Sequence, residues 1–139
     1  INADSMHLVF ENNSRPKKIN LTNNLKIRYA DITYLAKYAD IDFLFGRLAN
    51  LSALSANNLV FNDTLTISAD NLKINFDKDN FKNFKSLFYD NTKIKHKKNN
   101  SIINANKLTA IIKNSKLADL IISDKIYGQI NINELTKLK

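Results

Sequence analysis

The chain has 139 residues, 44% of them hydrophobic, no Cys and a net charge of +8. That length suits one domain able to bury a core without bridges or metal, and the apolar content excludes a disordered chain. The lack of Cys excludes a disulfide framework, thiolate catalysis and zinc-thiolate sites, while leaving the redox compartment open.

In chain order, Ile1 to Ser5 precede Met6, the only Met, and can be a leader ahead of it. Residues 11–24 are polar and hold the only Pro, which reads as a loop entering a short strand, with a turn at Asn23-Asn24. Ile41, Leu44, Phe45, Leu48 and Leu51 then fall on one helical face. Tyr34, Leu35 and Tyr38 extend that face, so a helix is expected over 34–51, although Asp40-Ile41-Asp42-Phe43 alternates as a strand would. From residue 54 the period is two. Leu59 and Phe61, a turn at Asn62-Asp63, and Leu65 and Ile67 predict a hairpin, and Leu72, Ile74 and Phe76 the next strand. Phe81, Phe84, Leu87 and Phe88 predict a second helix over 79–89, capped by Asp77 or Asp79. Strands follow at 92–98, 101–113, 116–123 and 125–133, with a turn at Asn99-Asn100, and Glu134 to Lys139 begin another helix or fray. The expected fold is α+β: a mainly antiparallel, bulged and coiled sheet with one or two packed helices, in a single strand-rich domain spanning 1–139.

A short phrase recurs: Ile or Leu, Asn or Ser, Ala, Asp or Asn, a polar residue, then Leu or Met. It stands at Ile1 to Met6, Leu54 to Leu59, Ile67 to Leu72 and Ile103 to Leu108. If the first five residues are a leader, the first copy is chance. The later copies lie 13 and 36 residues apart, so a strict solenoid is not expected. The first apolar residue and the Ala share one face of a strand, but the next apolar residue is three further on. One inserted residue at the Asp/Asn-polar pair restores a common apolar face, which is what a β-bulge does; a tight turn there is the alternative.

Chemistry-bearing patterns are sparse. His7 and His96 lie on separate segments, and His96 stands among lysines that repel a cation, so no metal site is expected. Two Gly do not build a phosphate-cradling loop. Asp40 and Asp42 form a carboxylate pair with acid–base potential, but at i, i+2 they read more simply as surface residues flanking Ile41. No catalytic residue and no cofactor is assigned, and an enzyme is not expected. The 22 Asn and 18 Lys against 3 Arg read as the mark of an AT-rich coding sequence, so both counts are discounted as chemistry. The charge is uneven: residues 1–77 hold 8 basic and 8 acidic side chains, and residues 78–139 hold 13 and 5. Lys93, Lys95, Lys97 and Lys98 are the candidate anion contacts, toward lipid head groups or nucleic acid. The plainer reading is a solubilising edge strand. Scarce Arg and core-like Phe spacing argue against nucleic acid.

The strings Leu65-Thr66-Ile67-Ser68-Ala69-Asp70-Asn71-Leu72-Lys73-Ile74, the amphipathic piece Phe81 to Phe88, Thr92-Lys93-Ile94, the run Leu108 to Leu117 and Tyr127 to Ile132 resemble the AsmA/TamB-like family of bacterial cell-envelope proteins, over about residues 54–134. Similar strings occur in periplasmic lipopolysaccharide-transport proteins. Gly is scarcer than that resemblance leads one to expect, and residues 7–53 carry none of it. The resemblance implies a long coiled sheet whose apolar inner face shields acyl chains, a periplasmic or envelope location, and an inner-membrane anchor on a segment outside this piece of a longer protein. No stretch here approaches the roughly 20 apolar residues of a helical span. The expected function is a non-enzymatic lipid-binding or lipid-transport module, with Leu65, Ile67, Leu72, Ile74, Phe76, Ile94 and Leu108 as lipid-facing candidates. The alternatives are a basic adaptor docking an anionic partner, and a domain whose partner is another protein.

Overall fold

The computed structural model describes residues 1–29, 32–45, 47–61, 65–80, 82–98 and 100–129. Among them there is no helix. Nine strands follow one another: β1 (Ser5–Phe10), β2 (Pro16–Tyr29), β3 (Ile32–Leu44), β4 (Arg47–Phe61), β5 (Leu65–Phe76), β6 (Phe84–His96), β7 (Ser101–Lys113), β8 (Lys116–Ser123) and β9 (Tyr127–Gln129). They form one antiparallel sheet in the order β1 to β8, each strand pairing with the next in sequence. β8 pairs with Lys107 to Lys113 and β9 with Ile102 to Asn104, so the two run along β7 as a single broken strand.

The fold is therefore all-β, and the expected α+β class with packed helices is wrong. The predicted helix at 34–51 is the β3–β4 hairpin. Its apparent helical stripe arises because the chain reverses at Leu44-Phe45, both exposed, so Ile41 and Leu48 lie on opposite strands rather than successive turns. Asp40-Ile41-Asp42-Phe43 was the true signal, with Ile41 buried between two half-exposed carboxylates. The predicted helix at 79–89 is a loop followed by β6. Phe84, Ser86 and Phe88 point to the buried side while Leu87 points away from it. A polar residue on the inner face and an apolar one on the outer disguised the alternation. Of the residues taken for that helix, Phe81 lies outside the described ones.

Every long strand is interrupted at the same level. Asn23-Asn24 of β2 oppose Lys37 alone on β3. Residues 55–56 of β4 oppose Asp70 alone on β5, and Asp90-Asn91 of β6 oppose Asn106 alone on β7. The line closes at Asp124 and Lys125, between β8 and β9. Asn23, Asn24, Asp90, Asn91, Asp124 and Lys125 all have φ between 51° and 66°, the left-handed region that Asn and Asp tolerate best among non-Gly residues. A row of aligned bulges bends every strand at once, folding the sheet into two leaves. The irregularity expected within Ile67 to Leu72 is present as a register shift between Ser68 and Asn71, but Asp70 is the lone residue there: the extra residues lie on the neighbouring strands, at 55–56 of β4 and 90–92 of β6.

The bend reveals a repeat that the phrase only partly traced. The inner face carries Ala at Ala3, Ala36, Ala69 and Ala105, and resumes three residues later at Met6, Ala39, Leu72 and Leu108. These alanines are 33, 33 and 36 residues apart, one per pair of strands. The copy at Ile1 is genuine: Asn2 bridges to Lys26, and Asp4 N–H donates to the Asn23 carbonyl at 3.0 Å. The copy at Leu54 is out of phase, since the bulge of β4 lies at residues 55–56, ahead of its Asn pair.

Polar side chains tie neighbouring strands together along this line. Asn24 Nδ2 donates to Asp4 at 2.9 Å, Asn91 Nδ2 to Asp70 at 2.7 Å, Asn71 Nδ2 to Asp90 at 2.9 Å, and Asn106 Nδ2 to Asp124 at 3.4 Å. The Asn residues discounted as compositional bias thus do structural work that Gly does elsewhere. Asn91→Ala is expected to lower stability by about 1–2 kcal/mol, from strain at φ 51° and a lost hydrogen bond. Asn91→Gly keeps the backbone conformation and should be the milder of the two. Urea unfolding of both variants reads the difference.

The core lies between the leaves. Leu21, Ile32, Ile67, Leu72, Ile74, Phe88, Leu108 and Ile112 are all under 2% exposed. A single-layer sheet with no helix on it reaches such burial only by covering itself. Tyr34 and Ser86 each precede the bend, on β3 and β6, and those two strands run in opposite directions, so the two residues sit on opposite leaves. Their hydroxyls are 3.3 Å apart, and side chains of the two leaves do meet.

Candidate functional site

Filling between the leaves is uneven. On the β5–β7 side, Phe88 sits across from Leu72 and Leu108, and all three are at most 2% exposed. Toward β2, β3 and β4 the leaves leave a cavity of about 320 Å³. Its walls are Ile19 and Ile27 of β2, Tyr34, Ile41 and Phe43 of β3, Leu48 and Leu51 of β4, Ile74 and Phe76 of β5, and Phe84 of β6, with Ile1 and Arg28 at its margin. The Phe76 and Phe84 rings stack at a tilt, centroids 5.5 Å apart, across the β5–β6 pair. Among the described residues Arg28 is the only charged side chain on the wall. Volume and lining fall at the lower end of the range for small-molecule sites, about 300–1,000 Å³ and predominantly apolar.

Of the seven lipid-facing candidates, Ile74 and Phe76 line this cavity. Ile67, Leu72, Ile94 and Leu108 are buried in the packed part of the core, and Leu65 packs against it half-buried. Sequence reasoning missed the other wall residues because most lie within residues 7–53, read there as loop and helix. The signal was the alternation Ile19-Leu21 and Ile41-Phe43, which fixes a strand face.

Among the described residues the one strongly perturbed titratable group is at this wall. Burial pushes the Tyr34 phenol well above its ordinary value, and the Ser86 hydroxyl at 3.3 Å opposes that only in part. The folded state thus holds the Tyr34 proton more tightly than the unfolded chain. The stability this carries is complete below the ordinary tyrosine pKa of about 10 and is lost as pH rises above it. Tyr34→Phe should make unfolding less steeply pH-dependent above about pH 10, at about 1 kcal/mol lower stability near neutrality for the lost hydrogen bond. Denaturation midpoints of both chains from pH 7 to 11 check this.

The lysine candidates are placed differently from the edge strand expected. β6 is paired on both sides, with β5 and with β7. Lys93 and Lys95 are exposed on its outer face, Lys97 and Lys98 are exposed in the turn beyond it, and half-buried His96 alternates to the inner side. Asp40 and Asp42 lie on the outer side of β3. Asp40 accepts from Asn20 Nδ2 and lies 3.9 Å from Lys18 Nζ. Among the described residues no three His, Asp or Glu side chains come close enough to hold a metal ion, and no helix is long and apolar enough to cross a membrane.

In comparisons with protein-family models, curated proteins and solved structures, nothing matches the chain.

Proposed function

We propose that this chain is a non-catalytic binding module of a bacterial cell envelope that takes an apolar chain, of the kind a lipid supplies, between the leaves of its folded sheet. The observation that carries the reading is the apolar cavity bounded by Ile41, Leu51, Ile74 and Phe84. Water against such walls is displaced favourably by an apolar guest, at about 25 cal/mol for each Å² of apolar surface buried. The β1 edge adds to it. Met6, Leu8 and Phe10 lie beside Leu21, Ile19 and Pro16 on the inner side, yet remain 49%, 44% and 56% exposed. They leave an apolar approach to the interior. The envelope setting rests on the resemblance of residues 54–134 alone. Native mass spectrometry of the gently purified chain is the test. Co-purifying fatty acid or phospholipid, or uptake of added fatty acid at one equivalent, is the expected result; a mass that stays unliganded after addition defeats the reading.

A second reading is favoured by the position of Lys93 and Lys95. On a central strand they do not serve to blunt an edge, and their outward row suits an anionic partner. Heparin retention that falls steeply with salt, and is reduced by Lys93→Ser with Lys95→Ser, would favour it.

A further inference from the structure

The described turns that join strands paired with each other obey a local rule with one exception. Where a described turn residue takes a positive φ, it is Ser14 in the β1–β2 turn, Asn100 in β6–β7, and Asn114 and Ser115 in β7–β8. The β3–β4 turn instead puts Phe45 at φ 53°. A bulky side chain is disfavoured in that region, and a phenyl ring is a poor choice for water at a hairpin tip. Phe45 is nonetheless 78% exposed, and Leu44 beside it 60%. By the up-and-down order of the strands, the β1–β2 turn lies at the same end of the sheet, and there Phe10, opposite Pro16, is exposed as well. Cations flank these rings: Arg15, Lys17 and Arg47 are all exposed. Arg47 Nη1 donates to the Lys78 carbonyl at 3.2 Å, which ties the tip to the β5–β6 loop. Local rules broken without compensation inside the fold mark functional positions.

We propose that the β3–β4 tip is a membrane-docking element. Leu44 and Phe45 enter the acyl boundary of a bilayer, and Arg15, Lys17 and Arg47 meet the phosphates of anionic lipid head groups. Apolar tips combined with cationic flanks are the two signals that hold a peripheral protein on anionic lipid. The cavity walls Phe43 and Leu48 are the next residues inward on the same hairpin, so docking would bring the cavity to the lipid surface. This inference rests on the proposed lipid-binding function for its purpose, but docking is measured separately from occupancy.

The chain has no Trp, so Phe45→Trp gives a single reporter. Its emission is expected to shift to the blue with vesicles of phosphatidylglycerol and phosphatidylcholine in equal parts, and to stay unchanged with phosphatidylcholine alone. Leu44→Ser with Phe45→Ser should weaken co-sedimentation with the anionic vesicles by roughly tenfold or more. Both residues are exposed, so the thermal midpoint and fatty-acid uptake by native mass spectrometry should not change. An unshifted emission, equal binding to neutral vesicles, or a double-serine variant that sediments like the parent overturns the proposal. A tip that captures a protein while ignoring vesicles does so too. Loss of fatty-acid uptake with docking intact would instead count against the cavity reading.

Discussion

Phe88→Ala is expected to lower stability by about 3–5 kcal/mol, the range for emptying a large aromatic site that cannot collapse. Phe88 has no measurable exposure and stands in the middle of β6. Leu72 on β5 and Leu108 on β7 flank it in register and are themselves buried. All three are held by ladder hydrogen bonds on both sides, so the backbone is poorly placed to close the gap. Against a typical net stability of about 5–15 kcal/mol, such a loss brings the chain close to unfolding at room temperature. The control is Leu87→Ala, one residue away on the outer face and half-buried. It removes less buried surface and should cost about 1 kcal/mol. Urea unfolding followed by circular dichroism compares them. Equal losses would mean that the inner face of β6 is not the packed side.

The strands that sequence reading placed best are those whose alternation is uninterrupted on a buried face. Ser101 to Lys113 and Lys116 to Ser123 fall where they were expected. The break inside Ile67 to Leu72 was legible because a change of parity between Ala69 and Leu72 has few other physical explanations, but the extra residues fall on the strands beside it, β4 and β6. Two things hid the rest. Around Leu44-Phe45 an apolar hairpin tip fills positions that polar turn residues normally mark, so a chain reversal looked like helical spacing. In β6, buried Ser86 and outward Leu87 reversed the expected polarity of both faces. The repeat was obscured by substitution at the bend. Its second unit reads Ala36-Lys37-Tyr38-Ala39, without the Asp or Asn of the others, while Leu54 to Leu59 imitates the phrase out of phase. The cavity was beyond sequence reasoning for a different reason. Period two tells which residues share a face, but not which residues of the other leaf each one meets, nor where the leaves fail to touch. Ile67 and Ile74 carry the same local pattern, yet only Ile74 faces open space.

Filling that space provides the sharpest separation of binding from folding. Leu48 is half-buried at the cavity wall, and Ile74, on the neighbouring strand of the same leaf beside Leu51, is 1% exposed at that wall. Leu48→Trp with Ile74→Phe places two aromatic rings where a guest would lie. A sealed apolar void of about 320 Å³ would cost on the order of 8 kcal/mol at about 24 cal/mol per Å³. That is an upper limit, since the cavity communicates with solvent, but it sets the sign. Added bulk gains contacts that the parent lacks, whereas the same rings in a filled core would strain it by about 1–3 kcal/mol. The double variant should therefore unfold at the same temperature as the parent or higher. Its affinity for fatty acid should fall at least tenfold, equivalent to about 1.4 kcal/mol. Leu48→Ala, which widens the space, should bind at least as well as the parent despite lower stability. If the double variant binds like the parent, the guest lies elsewhere, and the exposed row Met6, Leu8 and Phe10 on the β1 edge becomes the surface to mutate next. If it is strongly destabilised, the leaves already meet there, and the lipid reading loses the observation that carries it.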